Sequence, residues 1–165
     1  MPDKYKIAIY PGSFDPITLG HLDLITKASK MFDIVVIGLL HNADKEKKLL
    51  FSTDERVKMI EDVVKDFDNV CVKTFDGLLV DFAKNVGSNI IIRGIRNFSD
   101  YEYELNMAYA NKIMKGDLET VFLSPSAKYS HVSSTLVKEI ASYGGNIEEF
   151  LPASVATLVR EKYKK

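Results

Sequence analysis

The sequence predicts an open, doubly wound α/β fold: a five-stranded parallel sheet with helices on both faces. Three observations carry this. Short apolar runs alternate with stretches of helical periodicity five times along the chain. The runs are apolar at consecutive rather than alternate positions, as in parallel strands covered on both sides. The stretches rich in Gly, Ser, Lys, Arg and His follow the first, second, fourth and fifth runs. Such sheets bind ligands beyond the carboxyl ends of their strands.

Lys6-Ile7-Ala8-Ile9-Tyr10 is a buried strand that stops at Pro11-Gly12. A helix begins near Thr18, with Leu22, Leu24, Ile25, Ala28 and Met31 at helical spacing. Its start, Thr18-Leu19-Gly20-His21, offers unpaired backbone N–H groups and the positive end of a macrodipole to an anion. Gly20 removes a side chain there, and His21 brings two ring nitrogens. Asp33 to Leu40 is the second strand, followed by a lysine-rich loop from His41 to Leu50. Composition alone makes that loop a solvated one. Ser52-Thr53-Asp54-Glu55 is a capping box, and Val57, Ile60, Val63, Val64 and Phe67 form the buried face of the next helix. Asn69 to Phe75 is strand three; a short helix from Leu78 to Val86 ends at Gly87. Asn89 to Arg93 is strand four and ends on a charge. After a loop, Ser99-Asp100-Tyr101-Glu102 reads as a second capping box, opening a helix to about Lys115. Glu119 to Leu123 is strand five, closed by Ser124-Pro125. A loop leads to a helix from Ser133 to Tyr143, ended by Gly144-Gly145, and Pro152 opens the last helix. The pattern is Rossmann-like, and 1–165 reads as a single domain.

Composition narrows the function. A net charge of −1 over 165 residues gives no electrostatic reason to bind nucleic acid or an anionic membrane. The single cysteine, Cys71, cannot form an internal disulfide and suits a reducing cytoplasm. The chain shows neither a signal-peptide apolar region nor an apolar run approaching about 18 residues, so a cytoplasmic protein is expected. No G-x-x-x-x-G-K-[ST], G-x-G-x-x-G after the first strand, or G-x-S-x-G is present. Their absence argues against a P-loop NTPase, a dinucleotide-dependent dehydrogenase and a serine hydrolase.

Four clusters converge on one sheet edge. They are Tyr10 to Phe14 with Thr18 to His21, the lysine loop, Arg93-Gly94-Ile95-Arg96, and Tyr129-Ser130-His131-Val132-Ser133-Ser134-Thr135. Two helix starts, two arginines, a lysine and a histidine suit a triphosphate, whose chemistry needs positioning and charge neutralisation more than covalent help. Taken singly, each has a plain structural reading. Arg93 could be a salt-bridged strand end, Ser133 an N-cap, Glu104 a solvated helix residue, and Tyr101, Tyr103 and Tyr109 core or interface. His41 and His131 have no metal-ligand spacing around them.

In order, these stretches resemble bacterial phosphopantetheine adenylyltransferases, of the nucleotidyltransferase superfamily marked by [HT]-x-G-H. The resemblance runs through Tyr10 to Pro16, Thr18 to His21, Phe51 to Arg56, Ile92 to Arg96, Asp100 to Glu104 and Val132 to Glu139. It implies transfer of an adenylyl group from ATP to 4′-phosphopantetheine, with dephospho-CoA and pyrophosphate as products, by direct in-line attack of the acceptor phosphate. Mg²⁺ would be the cofactor, held mainly by ATP phosphates and water without a dedicated protein cage. The resemblance also implies a homohexamer and feedback binding of coenzyme A in the same cleft. It makes His21, Lys47 and Arg93 the catalytic residues, with Lys48 a rival for the lysine role. ATP would be bound by Ser13, Phe14, His21, Gly94, Ile95, Arg96, Glu104, Tyr129, Ser130, His131, Val132, Ser133, Ser134 and Thr135. The acceptor would meet Ser13, Lys47, Leu79, Arg93, Met107 and Asn111. Ser13 stands where threonine is common in the family, His131 where an aromatic is frequent, and Lys138 where several sister enzymes have arginine. A sister nucleotidyltransferase with another phosphorylated acceptor, or a non-catalytic nucleotide sensor, are the alternatives.

Overall fold

The computed structural model describes residues 6–41 and 48–164. Its five strands are β1 Ile7–Gly12, β2 Ile34–Leu40, β3 Val70–Phe75, β4 Ile90–Gly94 and β5 Glu119–Leu123. All pair in parallel, in the order β3-β2-β1-β4-β5. Six α-helices lie among the described residues: α1 Leu19–Met31, α2 Thr53–Val64, α3 Leu79–Val86, α4 Phe98–Met114, α5 Ser134–Ser142 and α6 Ala153–Tyr163. A 3₁₀ turn, Ala127–Tyr129, precedes α5.

Because strand side chains alternate, the continuous apolar runs feed two cores at once. Ala8 and Tyr10 of β1, Val35, Ile37 and Leu39 of β2, and Ile92 of β4 face the larger core, built with α1, α2, α5 and α6. Their neighbours Ile9, Val36 and Ile91 face the other core, with Val80, Phe82 and Ala83 of α3. Each fully buried valine, isoleucine or leucine among them contributes about 1.5–3 kcal/mol. Gly38 belongs to this packing, since a Cβ there would lie 2.9 Å from the Phe82 ring.

The chain runs outward from β1 to β2 and β3, then returns to place β4 on the other side of β1. The switch point therefore lies between β1 and β4. These two strands share a bridge at Ile9–Ile91, whereas β1 and β2 stay in register from Ile7–Ile34 to Gly12–Leu39. Pro11 has no N–H to offer, and instead the Arg93 side chain spans the gap, its Nη1 donating to the Pro11 carbonyl at 3.1 Å. The carboxyl ends open there.

Helix α2 ends at Val64, three residues short of the expected Phe67, and two further boundaries that differ from the sequence reading bear on the site. β1 continues through Pro11-Gly12, because pairing with Gly38 and Leu39 of β2 asks nothing of the proline beyond its carbonyl side. Helix α4 begins at Phe98, not after a Ser99 cap. The Asn97 side chain accepts from the Asp100 N–H at 2.9 Å, and Asp100 in turn accepts from Arg96. Asn97 captures the helix two residues earlier than the expected capping box, and the Arg96–Asp100 pair closes the added turn. The Ser52–Glu55 box is as expected: Ser52 Oγ accepts from the Glu55 N–H, and Glu55 Oε2 from the Ser52 N–H.

Helix α4 inverts the usual pattern. Its buried residues are Glu104 and Asn111, seven apart on one face, while Phe98, Tyr103, Tyr109 and Ile113 are exposed. No helix among the described residues is long and apolar enough to cross a membrane.

Candidate active site

Beyond the splayed ends of β1 and β4 lies a cavity of about 350 Å³. It is framed by the turn after β1, the start of α1, the end of β4, α4 and the start of α5. A smaller cavity of about 80 Å³ adjoins it, lined by Leu79, Tyr103, Met107, Ala108, Asn111 and Thr120. Arg93 and Glu104 line both.

His21 is fixed by the cap of α1. Thr18 Oγ1 accepts from the His21 N–H at 3.3 Å, and His21 Nδ1 accepts from the Thr18 N–H at 3.0 Å. An Nδ1 that accepts cannot carry the hydrogen of a neutral imidazole, so the hydrogen sits on Nε2. Burial, and then the Arg96 charge, hold the ring well below its ordinary value, at about 4. His21 is therefore a neutral Nε2–H donor at the cavity near neutral pH. The Phe14 ring packs edge-on against it, with centroids 5.0 Å apart.

The sign of the linkage follows from that shift. A depressed native value means the unfolded chain binds more protons between about 4 and 6.5. Stability is then expected to fall as pH drops through that window and to level off below it. Urea unfolding at pH 7 and pH 4.5 checks this. His21→Gln, whose amide oxygen can keep the cap, should lose less stability over the same interval.

The helix starts are less open than the sequence implies. In the first turn of α1, the Leu19 N–H donates to the Phe150 carbonyl at 2.9 Å and the His21 N–H to Thr18. Among the described residues the Gly20 N–H is the donor left for a ligand. At α5, Ser133 Oγ accepts from the Leu136 N–H at 3.1 Å, and the Ser134 hydroxyl donates to the Pro16 carbonyl at 2.7 Å. That second bond ties the start of α5 to the turn after β1.

Arg93 forms a side-on, bidentate pair with Glu104: Nε donates to Oε2 at 2.6 Å and Nη2 to Oε1 at 2.5 Å. Burial opposes the Arg93 charge, but the Glu104 carboxylate more than offsets it and holds the guanidinium above its ordinary value. With Nη1 on Pro11, three of a guanidinium's five N–H groups are used; one hydrogen on each terminal nitrogen lies beyond these bonds. Arg96 donates from Nε to Asp100 at 2.9 Å and from Nη1 to the Val132 carbonyl at 3.3 Å. No group of three or more His, Cys, Asp or Glu among the described residues is arranged to hold a metal ion.

The larger cavity gathers Ser13, Phe14, His21, Arg93, Gly94, Arg96, Glu104, Tyr129, Val132, Ser133, Ser134 and Thr135 of the expected residues. The smaller gathers Leu79, Met107 and Asn111. Three do not line either. The Ile95 N–H is spent on the Leu123 carbonyl, Ser130 Oγ donates to the Ala127 carbonyl, and the His131 ring packs edge-on to Phe150. Lys47 lies outside the described residues, and Lys48 is exposed and lines neither cavity. Glu104 is not a solvated helix residue but a buried partner of Arg93. Sequence reasoning missed Asp100 and Tyr103 as lining residues. Spacing could have found both, since Asp100 stands four after Arg96 and Tyr103 four before Met107.

The cytidylyltransferase-like family matches residues 9–140 of this chain. A phosphopantetheine adenylyltransferase of Lachnoclostridium phytofermentans is 52% identical over 158 residues, covering 96% of each chain. One of Clostridium novyi is 50% identical over 160 residues, with 97% and 98% covered. One of Thermotoga neapolitana is 48% identical over 159 residues, with 96% and 98% covered. A crystal structure from Vibrio parahaemolyticus, provisionally assigned as a nicotinate-nucleotide adenylyltransferase, superposes with a TM-score of 0.70 over 98% of both chains. At 18% identity that last likeness bears on the fold.

Proposed function

Since the chain belongs to the phosphopantetheine adenylyltransferase family, we infer that it transfers the adenylyl group of ATP to 4′-phosphopantetheine in coenzyme A biosynthesis. The products are dephospho-CoA and pyrophosphate. An acceptor phosphate oxygen attacks the ATP α-phosphorus in line; the bond from that phosphorus to the β-phosphate bridging oxygen breaks, and pyrophosphate leaves with the electron pair. The acceptor phosphate is already ionised near neutral pH, so no general base is required. The observation that carries this reading is the pair of adjoining cavities that share Arg93 and Glu104. One is ringed by helix starts and cations, and the other is a narrow slot beside Leu79 and Met107 suited to a pantetheine arm.

In this reading His21 donates Nε2–H to charge that develops on the phosphates in transit. Ser13, Phe14, Gly20 and the start of α5 hold the triphosphate, and Arg93 holds the acceptor phosphate together with Lys47. Asp100 and Glu104 are each committed to an arginine, so Mg²⁺ would arrive on ATP, held by phosphate oxygens and water. Bound there, it would neutralise phosphate charge. Coenzyme A carries the same pantetheine arm and would compete in the slot as feedback inhibitor. The exposed apolar face of α4, with Tyr103, Tyr109 and Ile113, supports assembly into a homohexamer, and the exposed thiol of Cys71 suits the cytoplasm.

Pyrophosphate release tests the reading with ATP, Mg²⁺ and 4′-phosphopantetheine, and with nicotinamide mononucleotide or glycerol phosphate in parallel. Release with phosphopantetheine alone, suppressed by coenzyme A, is expected from a particle whose light-scattering mass is six chains. Release with another acceptor instead would overturn the substrate, and ATP binding with no release would leave a nucleotide sensor.

A further inference from the structure

We propose that Arg56 is a positioning residue that aims the Ser13–Phe14 peptide N–H at the phosphates. The inference rests on the reading of the larger cavity as a phosphate site. Arg56 is fully buried on α2, away from the cavity lining. Its Nη1 donates to the Ser13 carbonyl at 2.8 Å, its Nη2 to Thr53 Oγ1 at 3.1 Å and its Nε to the Ser52 carbonyl at 3.4 Å. Thr53 Oγ1 is itself braced, 2.9 Å from His41 Nδ1.

The Ser13–Phe14 peptide is trans, so its carbonyl and N–H point in opposite directions. A carbonyl pinned toward α2 sends the Phe14 N–H the other way. That N–H takes no protein acceptor among the described residues, and both Ser13 and Phe14 line the cavity. The turn does not hold this pose by default. Phe14 has φ 46°, a left-handed conformation that is strained for a residue with a bulky side chain. The Phe14 ring is wedged against Tyr10 and His21, and a Cβ on Gly12 would come within 3.0 Å of it. The ring packing fixes where Phe14 sits. The Arg56 fork fixes how its preceding peptide is rotated. Lysine in its place would keep the charge but lose the planar fork that holds Ser13, Thr53 and Ser52 together.

The test compares wild type, Arg56→Lys and Thr53→Val. It measures melting temperature, kcat, both KM values, and the amide resonance of Phe14 on titration with inorganic pyrophosphate. Wild type must first release pyrophosphate with phosphopantetheine; its failure would sink the functional reading and leave Arg56 unjudged by kinetics but still by the amide resonance. In folded Arg56→Lys, kcat is expected to fall roughly 10- to 100-fold, as a misaimed group costs. The acceptor KM should change little, and the Phe14 response to pyrophosphate should be lost. Thr53→Val, which removes one brace, should show the same pattern to a smaller degree. Wild-type kcat per folded molecule with a wild-type Phe14 response overturns the proposal, even if the melting temperature drops. Should Arg56→Lys fail to fold, Thr53→Val decides by the same two readouts.

Discussion

Replacing His21 with alanine is expected to lower kcat by roughly 10²–10³, the usual order for removing one preorganised donor to transition-state charge. The structure explains why the loss should fall on kcat. The ring is neutral, its Nδ1 is committed to the Thr18 N–H, and Nε2–H remains for the ligand. A donor already in place costs no reorganisation when charge shifts during transfer. The same substitution also removes half of the α1 capping box, so a modest stability loss should accompany it. The melting temperature reads the cap loss separately from turnover. If folded His21→Ala keeps a near-wild-type kcat, the histidine is structural and the mechanism fails.

Arg93→Lys is expected to reduce kcat/KM for 4′-phosphopantetheine by roughly 10- to 100-fold, in line with losing a charge-assisted hydrogen bond or two. A lysine can satisfy one Glu104 oxygen or the acceptor phosphate, and it cannot span to Pro11 as well. Arg93→Ala goes further. It strands the Glu104 carboxylate, 8% exposed, without its cation, and breaking such a pair costs about 3–5 kcal/mol. The lysine variant is therefore the cleaner measurement. Initial rates over a range of phosphopantetheine read that ratio, and isothermal titration reads the affinity beside it. An affinity equal to wild type would make Arg93 only a brace between β4 and α4.

Much of this was legible in the chain. Strands β1, β2 and β4 are runs apolar on both faces, which a doubly covered sheet can bury, and Arg93 near the end of β4 placed a cation at the open edge. Thr18 and His21 read directly as a helix start. What escaped was anything decided across elements. Helix α4 carries apolar residues on its outer side and Glu104 and Asn111 on its inner one, so periodicity points away from the site. Glu104 becomes intelligible only once β4 lays Arg93 beside it. Asn97 and Ser99 are both good caps, and Arg96 decides between them by reaching Asp100. Arg56 lies in a capping-box helix where an arginine ordinarily faces water. Nothing local signals that it is wholly buried against the turn after β1.

The wall shared by Arg93 and Glu104 also bears on how such an enzyme can change. Its two compartments are not modular. Under the proposed function, a substitution at that wall would alter nucleotide and acceptor together, so selection could not retune one specificity there while holding the other. Independent variation would be left to the far ends: Tyr129 and Val132 to Thr135 for the nucleotide, and Leu79, Met107 and Asn111 for the arm. Divergence toward new acceptors would then begin on α3 and α4, with the shared wall the last part to move.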